Sequence, residues 1–153
     1  MPQIDLPELI HYGTKKFDCN LVSPIENCGW VKPKGGLWTS PVNSKFGWKD
    51  WCEDENFRKC DEDNSIRLRL KSETRVLIID SESDLNKLPF YPSKVPFLKE
   101  QLIDFEELSI NYDIIWLTVK GLSETKWSEP MNLYGWDCES VLIMNTDCCE
   151  EII

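Results

Sequence analysis

Histidine is nearly missing from this chain. There is one, His11, in 153 residues. A hydrolase built on Ser40, on Ser44 or on a cysteine nucleophile therefore has a single imidazole to serve as its base. The seven cysteines (Cys19, Cys28, Cys52, Cys60, Cys138, Cys148, Cys149) contain no CxxC element, and the first four are spaced by 9, 24 and 8 residues. That spacing argues against a zinc site, and no metal is expected. Their odd number fits reduced thiols, with the adjacent Cys148-Cys149 pair incidental. No run of about 18 apolar residues is present, which excludes a membrane-spanning helix. The N-terminal MPQIDLPELIHYG lacks a basic n-region and a long apolar stretch, so a signal peptide is not expected and the cytoplasm is. A basic stripe is also missing, and the net charge is −10. Phosphate backbones repel that charge, so stable nucleic-acid binding is disfavoured. The motifs GxxxxGK[ST], GxGxxG and GxSxG do not occur, and Gly35-Gly36 is no phosphate loop. No internal repeat or low-complexity tract is visible.

What is present is apolar and aromatic. Hydrophobic residues make up 41% and aromatics 11%, enough for one globular domain over residues 1–153. Strands are expected at 8–12, 37–40, 65–71, 75–80, 113–119 and 139–145. The run SIRLRLK alternates strictly and reads as a half-buried strand. Pro41 stops the second strand because it lacks a ladder donor. Helices are expected at 44–57, at 81–88 and over 97–111, where Leu98, Leu102, Phe105 and Leu108 lie near helical spacing. Residues 14–34, 60–65, the proline-rich segment around Pro89–Pro96 and 120–136 read as connections. Strands and helices do not alternate regularly, so the fold class is α+β with a mixed or mostly antiparallel sheet.

Each candidate residue has a plain structural reading. His11 reads as a half-buried histidine bonded to backbone, or as a hydrogen-bonding partner for a sugar hydroxyl beside a close-approaching glycine. Glu139, at the mouth of the apolar run SVLIMN, is a solvent-facing strand end or a catalytic carboxylate. Asp137 lies two residues earlier and would point the same way in a strand that starts early. In GGLWTSPVNSKFGWKDWC (35–52), Trp38, Trp48 and Trp51 serve the core or stack on a flat ligand.

Taken in order, HYGT (11–14), GGLWTSP with the following Ser44-Lys45, and DCESVLIMN (137–145) resemble the ADP-ribosyltransferase superfamily. The resemblance is nearest to the branch of poly(ADP-ribose) polymerases, diphtheria-type toxins and small bacterial and phage transferases, and it spans residues 9–145. It implies a split-sheet fold of mixed and antiparallel strands, with NAD as substrate and without a metal. It also implies a macromolecular acceptor, protein before nucleic acid. By this resemblance His11 would bond the nicotinamide ribose, and Gly13, between Tyr12 and Thr14, would offer its backbone to the carboxamide. Trp38 stands at the family's strand tyrosine, followed by Thr39 and Ser40. Ser44 would start the helix beneath the nicotinamide, Trp48 or Trp51 would stack on the ring, and Glu139 would be the catalytic carboxylate. Asp137, Trp136 and Trp127, with Tyr134, would lie at the acceptor, within 121–136. A non-catalytic binder of NAD, ADP-ribose or a partner protein on the same fold is the second expectation.

Overall fold

Alternation in the sequence becomes alternation across a sheet. In SIRLRL the even residues Ile66, Leu68 and Leu70 are buried while Arg67 and Arg69 are exposed. A computed structural model describes residues 6–57, 59–93 and 101–152 of the chain. Among them the strands and helices run in this order: β1 (Leu9–Tyr12), β2 (Leu37–Pro41), α1 (Trp48–Asp54), β3 (Ser65–Leu70), β4 (Val76–Ile79), α2 (Glu82–Asn86), β5 (Phe90–Pro92), β6 (Gln101–Ile103), α3 (Phe105–Asn111), β7 (Ile114–Leu117), α4 (Val119–Thr125), β8 (Ser140–Ile143) and β9 (Cys149–Glu151). Seven strands form one sheet in the order β4-β7-β8-β2-β1-β3-β9, and β5 pairs with β6 separately. Only β4 and β7 are parallel; the other pairs are antiparallel. The chain is thus a single domain of mixed helix and strand around a mixed sheet.

The period-two rule sorts the core into two layers. Ile115, Leu117 and Leu142 face a cluster completed by Ile79, Leu85, Phe105, Leu133 and Trp136. Their neighbours Ile114, Val141 and Ile143 face the opposite cluster, with Leu9, Leu37, Ile66, Leu68 and Cys148. Among the described residues no helix is long and apolar enough to cross a membrane.

Several expected boundaries are corrected. The helix expected over 44–57 is confined to Trp48–Asp54. Residues 97–111 are not one helix. Residues 101–103 pair with β5, and the helix starts after Asp104, whose carboxylate caps it by accepting from the Glu107 N–H. Residues 97–100 lie outside the described residues. The expected connection 120–136 contains α4, capped by Thr118. Gly121 is buried in this helix. A Cβ at that position would lie 2.0 Å from the Ile79 carbonyl oxygen and 2.8 Å from its carbon. The glycine there permits helix and strand to touch.

Candidate functional site

The ladder between β1 and β2 is short. It consists of Leu9↔Pro41 and Ile10↔Ser40, whereas β2 meets β8 at three register pairs. Past Ile10 the contact passes to a side chain: His11 Nδ1 lies 2.7 Å from the Trp38 carbonyl. A carbonyl oxygen only accepts, so Nδ1 carries the hydrogen, and in the neutral ring Nε2 is the acceptor. A cavity of about 270 Å³ opens here, lined by His11, Tyr12, Lys32, Trp38, Trp48, Cys52 and Cys60. Its size suits a fragment of a ligand rather than a whole dinucleotide, since small-molecule sites run to roughly 300–1,000 Å³.

Both tryptophans of the wall are fixed from behind. Trp38 meets Trp136 edge-on at 4.8 Å, and Trp48 meets Trp51 edge-on at 5.8 Å. Trp51 in turn packs on Phe57. The sequence left Trp48 and Trp51 open as the stacking residue; Trp48 lines the cavity and Trp51 supports it. The Trp48 indole N–H is buried and has no hydrogen-bond partner among the described residues. An orphaned donor of this kind costs about 1–3 kcal/mol. Burial, followed by the nearby Cys60 and Glu62, pushes the Tyr12 hydroxyl above its ordinary pKa.

Glu139 lies just before β8 and is 7% exposed. One carboxylate oxygen accepts from Ser44 Oγ at 2.5 Å, the other from Trp116 Nε1 at 2.8 Å. Residues of its parity, Val141 and Ile143, face the second core cluster together with Trp116. Trp38 faces the first cluster. The carboxylate and the Trp38 wall therefore lie on opposite faces of the sheet, and Glu139 is not among the residues lining the aromatic cavity.

The remaining candidates divide clearly. Ser40 Oγ donates to the Glu139 carbonyl and accepts from the Trp48 N–H, so it ties β8 to the start of α1. Thr39 is buried and donates to the Val141 carbonyl. Both are structural in this geometry. Gly13, at φ +122, already donates its N–H to the Asn64 carbonyl. Thr14 donates to the Lys16 carbonyl and is not part of the cavity wall. Ser44 does not start a helix but lies in the loop before α1. Its hydroxyl also accepts from the Phe46 N–H.

In the acceptor region the expectation for Trp136 is corrected. It is 2% exposed, belongs to the core, and donates to the Val31 carbonyl. Trp127 is 74% exposed and packs on Tyr134 at 4.8 Å. Asp137 pairs with Lys32 at 3.6 Å.

Lys32 is the residue the sequence reading missed. Its ammonium lies 5.2 Å from the centroids of both Trp38 and Trp48. The local signal is a lysine two residues after Trp30, too weak to single out. Cys138, near this pair, is pushed up to about 12, chiefly by burial, which leaves it a protonated thiol and no nucleophile. Among the described residues no three His, Cys, Asp or Glu side chains gather as a metal site requires.

Comparison with family models, with curated proteins and with solved structures finds no match to the chain.

Proposed function

We propose that the chain is an NAD-dependent mono-ADP-ribosyltransferase, moving ADP-ribose from NAD to a macromolecular acceptor, a protein in the first place, with release of nicotinamide. The observation that carries this reading is the bond from His11 to the Trp38 carbonyl. It sets a strand histidine beside two tryptophan walls where β1 and β2 part. A split-sheet, ADP-ribosyltransferase-like arrangement about that seam is part of the same proposal. In it Nε2 of His11 accepts from a ribose hydroxyl and Trp48 stacks on the nicotinamide.

The reaction breaks the bond between C1′ of the ribose and the nicotinamide nitrogen. Positive charge develops on the ribose, as in glycoside cleavage. The electron pair leaves on nicotinamide, and the acceptor nucleophile closes on C1′. A buried carboxylate stabilises the developing cation and deprotonates or orients a hydroxyl. Glu139 is buried and both of its hydrogen-bond partners are neutral donors. Because it lies on the sheet face away from Trp38 and outside the cavity, this reading requires the ribose to reach past the seam of β1 and β2 to meet it. In this reading the substrate 2′-hydroxyl takes the place of Ser44. A surface of net charge −10 suits a basic acceptor, and a cytoplasmic setting belongs to the same proposal.

A second reading, a binding module without catalysis, is favoured by one observation. Glu139 is already held by two donors on the face away from Trp38. The two readings separate in one experiment. Purified protein is incubated with labelled NAD and a cell lysate, with Glu139→Gln alongside. Nicotinamide release and label on a discrete acceptor, both lost in the variant, support the transferase. Release without a labelled acceptor indicates an NAD glycohydrolase. Transfer by the glutamine variant at the wild-type rate overturns the assignment, and binding with no release by either protein supports the module.

A further inference from the structure

The cavity already holds a cation, and the protein supplies it. Lys32 is carried on a loop whose base is closed by a two-bond bridge between Glu26 and Lys34. Along the loop the Val31 carbonyl is pinned by Trp136 Nε1 at 2.7 Å, and the Lys32 carbonyl accepts from Cys28 Sγ. The backbone is anchored on both sides of the lysine, so its stem is directed inward, and the side chain is only 16% exposed. The ammonium stands over both Trp38 and Trp48 at 5.2 Å, with Trp30 at 5.9 Å and the Asp137 carboxylate at 3.6 Å.

Those surroundings favour one sign of charge. Indole faces are the negative side of the ring quadrupole and attract cations. Asp137 adds a full negative charge. An anion, such as the phosphate of a nucleotide, would meet two repelling ring faces and compete with Asp137 for the ammonium. We propose that the gap between Trp38 and Trp48 is a slot for a flat cationic group, and that Lys32 is its resident plug, displaced when such a ligand enters. The slot stands on these distances alone. That its ligand is the pyridinium of oxidised NAD rests on the function proposed above. Entry requires only that the lysine stem turn out of the gap, since its backbone is fixed.

The test uses 1-methylnicotinamide, the pyridinium cation methylated on the ring nitrogen, which quenches indole fluorescence on contact, with neutral nicotinamide as control. Wild type, Lys32→Met, and Lys32→Met combined with Asp137→Asn are titrated. The methionine keeps the apolar stem and removes the plug. The double variant removes both charges of the pair together. Loss of a competing, desolvated cation–π contact should tighten 1-methylnicotinamide binding about tenfold in both variants, and leave nicotinamide binding unchanged. Equal or weaker binding in Lys32→Met overturns the proposal, because the lysine then helps to hold the ligand. Tightening that disappears in the double variant also overturns it, since the freed Asp137 charge would then be the cause. Lys32→Gln repeats the measurement should the methionine variant fail to fold. Tight pyridinium binding without nicotinamide release from NAD would leave the slot standing and remove the transferase. Transfer with no effect of Lys32→Met would do the reverse.

Discussion

Asp113 and Glu139 are buried alike, each 7% exposed, yet the protein holds them in opposite ways. Asp113 lies just before β7. Its carboxylate accepts from the Arg75 N–H at 2.8 Å and from the Arg75 guanidinium at 2.9 Å, and again from Asn145 Nδ2. Its carbonyl takes the N–H groups of Met144 and Asn145. One residue thereby clasps the start of β4, the start of β7 and the end of β8. Glu139, at the other end of β8, has two neutral donors and, among the described residues, no ion pair. Burial alone does not mark a carboxylate as chemical or structural. The charge of its partners does, because a guanidinium neutralises what a reaction would need.

The sharpest way to break this contrast is at Glu139. Glu139→Gln keeps the shape: its amide oxygen accepts from Trp116 and its NH₂ donates to Ser44. Unfolding free energy should stay within about 1 kcal/mol of wild type. Nicotinamide release should fall by about 10²–10⁴ fold, the ordinary contribution of one acid–base group. Equal losses of stability and activity would erase the distinction between the two sites.

Asp113→Asn should show the converse, with NAD turnover surviving in the folded protein and stability lost. The new NH₂ faces donors from Arg75 and Asn145. Since Arg75 is half exposed, we expect about 2–3 kcal/mol in urea unfolding, the low end for a broken buried pair. A loss below about 1 kcal/mol would show that the clasp is idle.

A smaller effect is expected at Trp116→Phe, which removes one donor from Glu139. Nicotinamide release should fall about tenfold, about 1.4 kcal/mol of barrier, with a stability cost of about 1 kcal/mol. Unchanged turnover would mean that Trp116 does not position the carboxylate.

The smallest effect is in acid. Burial pushes the Asp113 carboxyl up, but bonds from Arg75 and Asn145 outweigh it and hold the carboxyl below the usual range. A depressed folded pKa contributes stability that is complete above the unfolded value, about 3.9. That stability is lost as the pH falls through the lower folded value. Urea unfolding from pH 5 to pH 2 should show the loss in wild type and a flatter profile in Asp113→Asn. Parallel profiles would remove the linkage.

The two sites were not equally legible in the sequence. The strands carrying them were readable because each has four or more residues with clear apolar character: LIHY, SIRLRL, VLII, IIWL and SVLI. β5, β6 and β9 have three residues each, too few to show a period. Residues 101–103 were drawn into a helix by Leu102 because helical spacing ran across Asp104, which is the cap. Glu139 and His11 were visible as polar residues at strand ends. Lys32 was not, since its meaning comes from Trp38 and Trp48, which the chain path brings to it. The clasp was hidden for the same reason: Arg75 and Asp113 are 38 positions apart.

β2 holds one further consequence. Within its five residues, Leu37–Pro41, Trp38 looks toward one core cluster while Leu37 shares the other with Val141 and Ile143. Thr39 bonds to Val141 and Ser40 to Glu139. Deleting one residue before Trp38 would exchange the faces, sending the indole to the face of the carboxylate and Thr39 into the slot. Substitutions can be absorbed here one at a time, but a change of length cannot. The spacing from Gly36 to Pro41 is therefore as much a part of the site as any side chain within it.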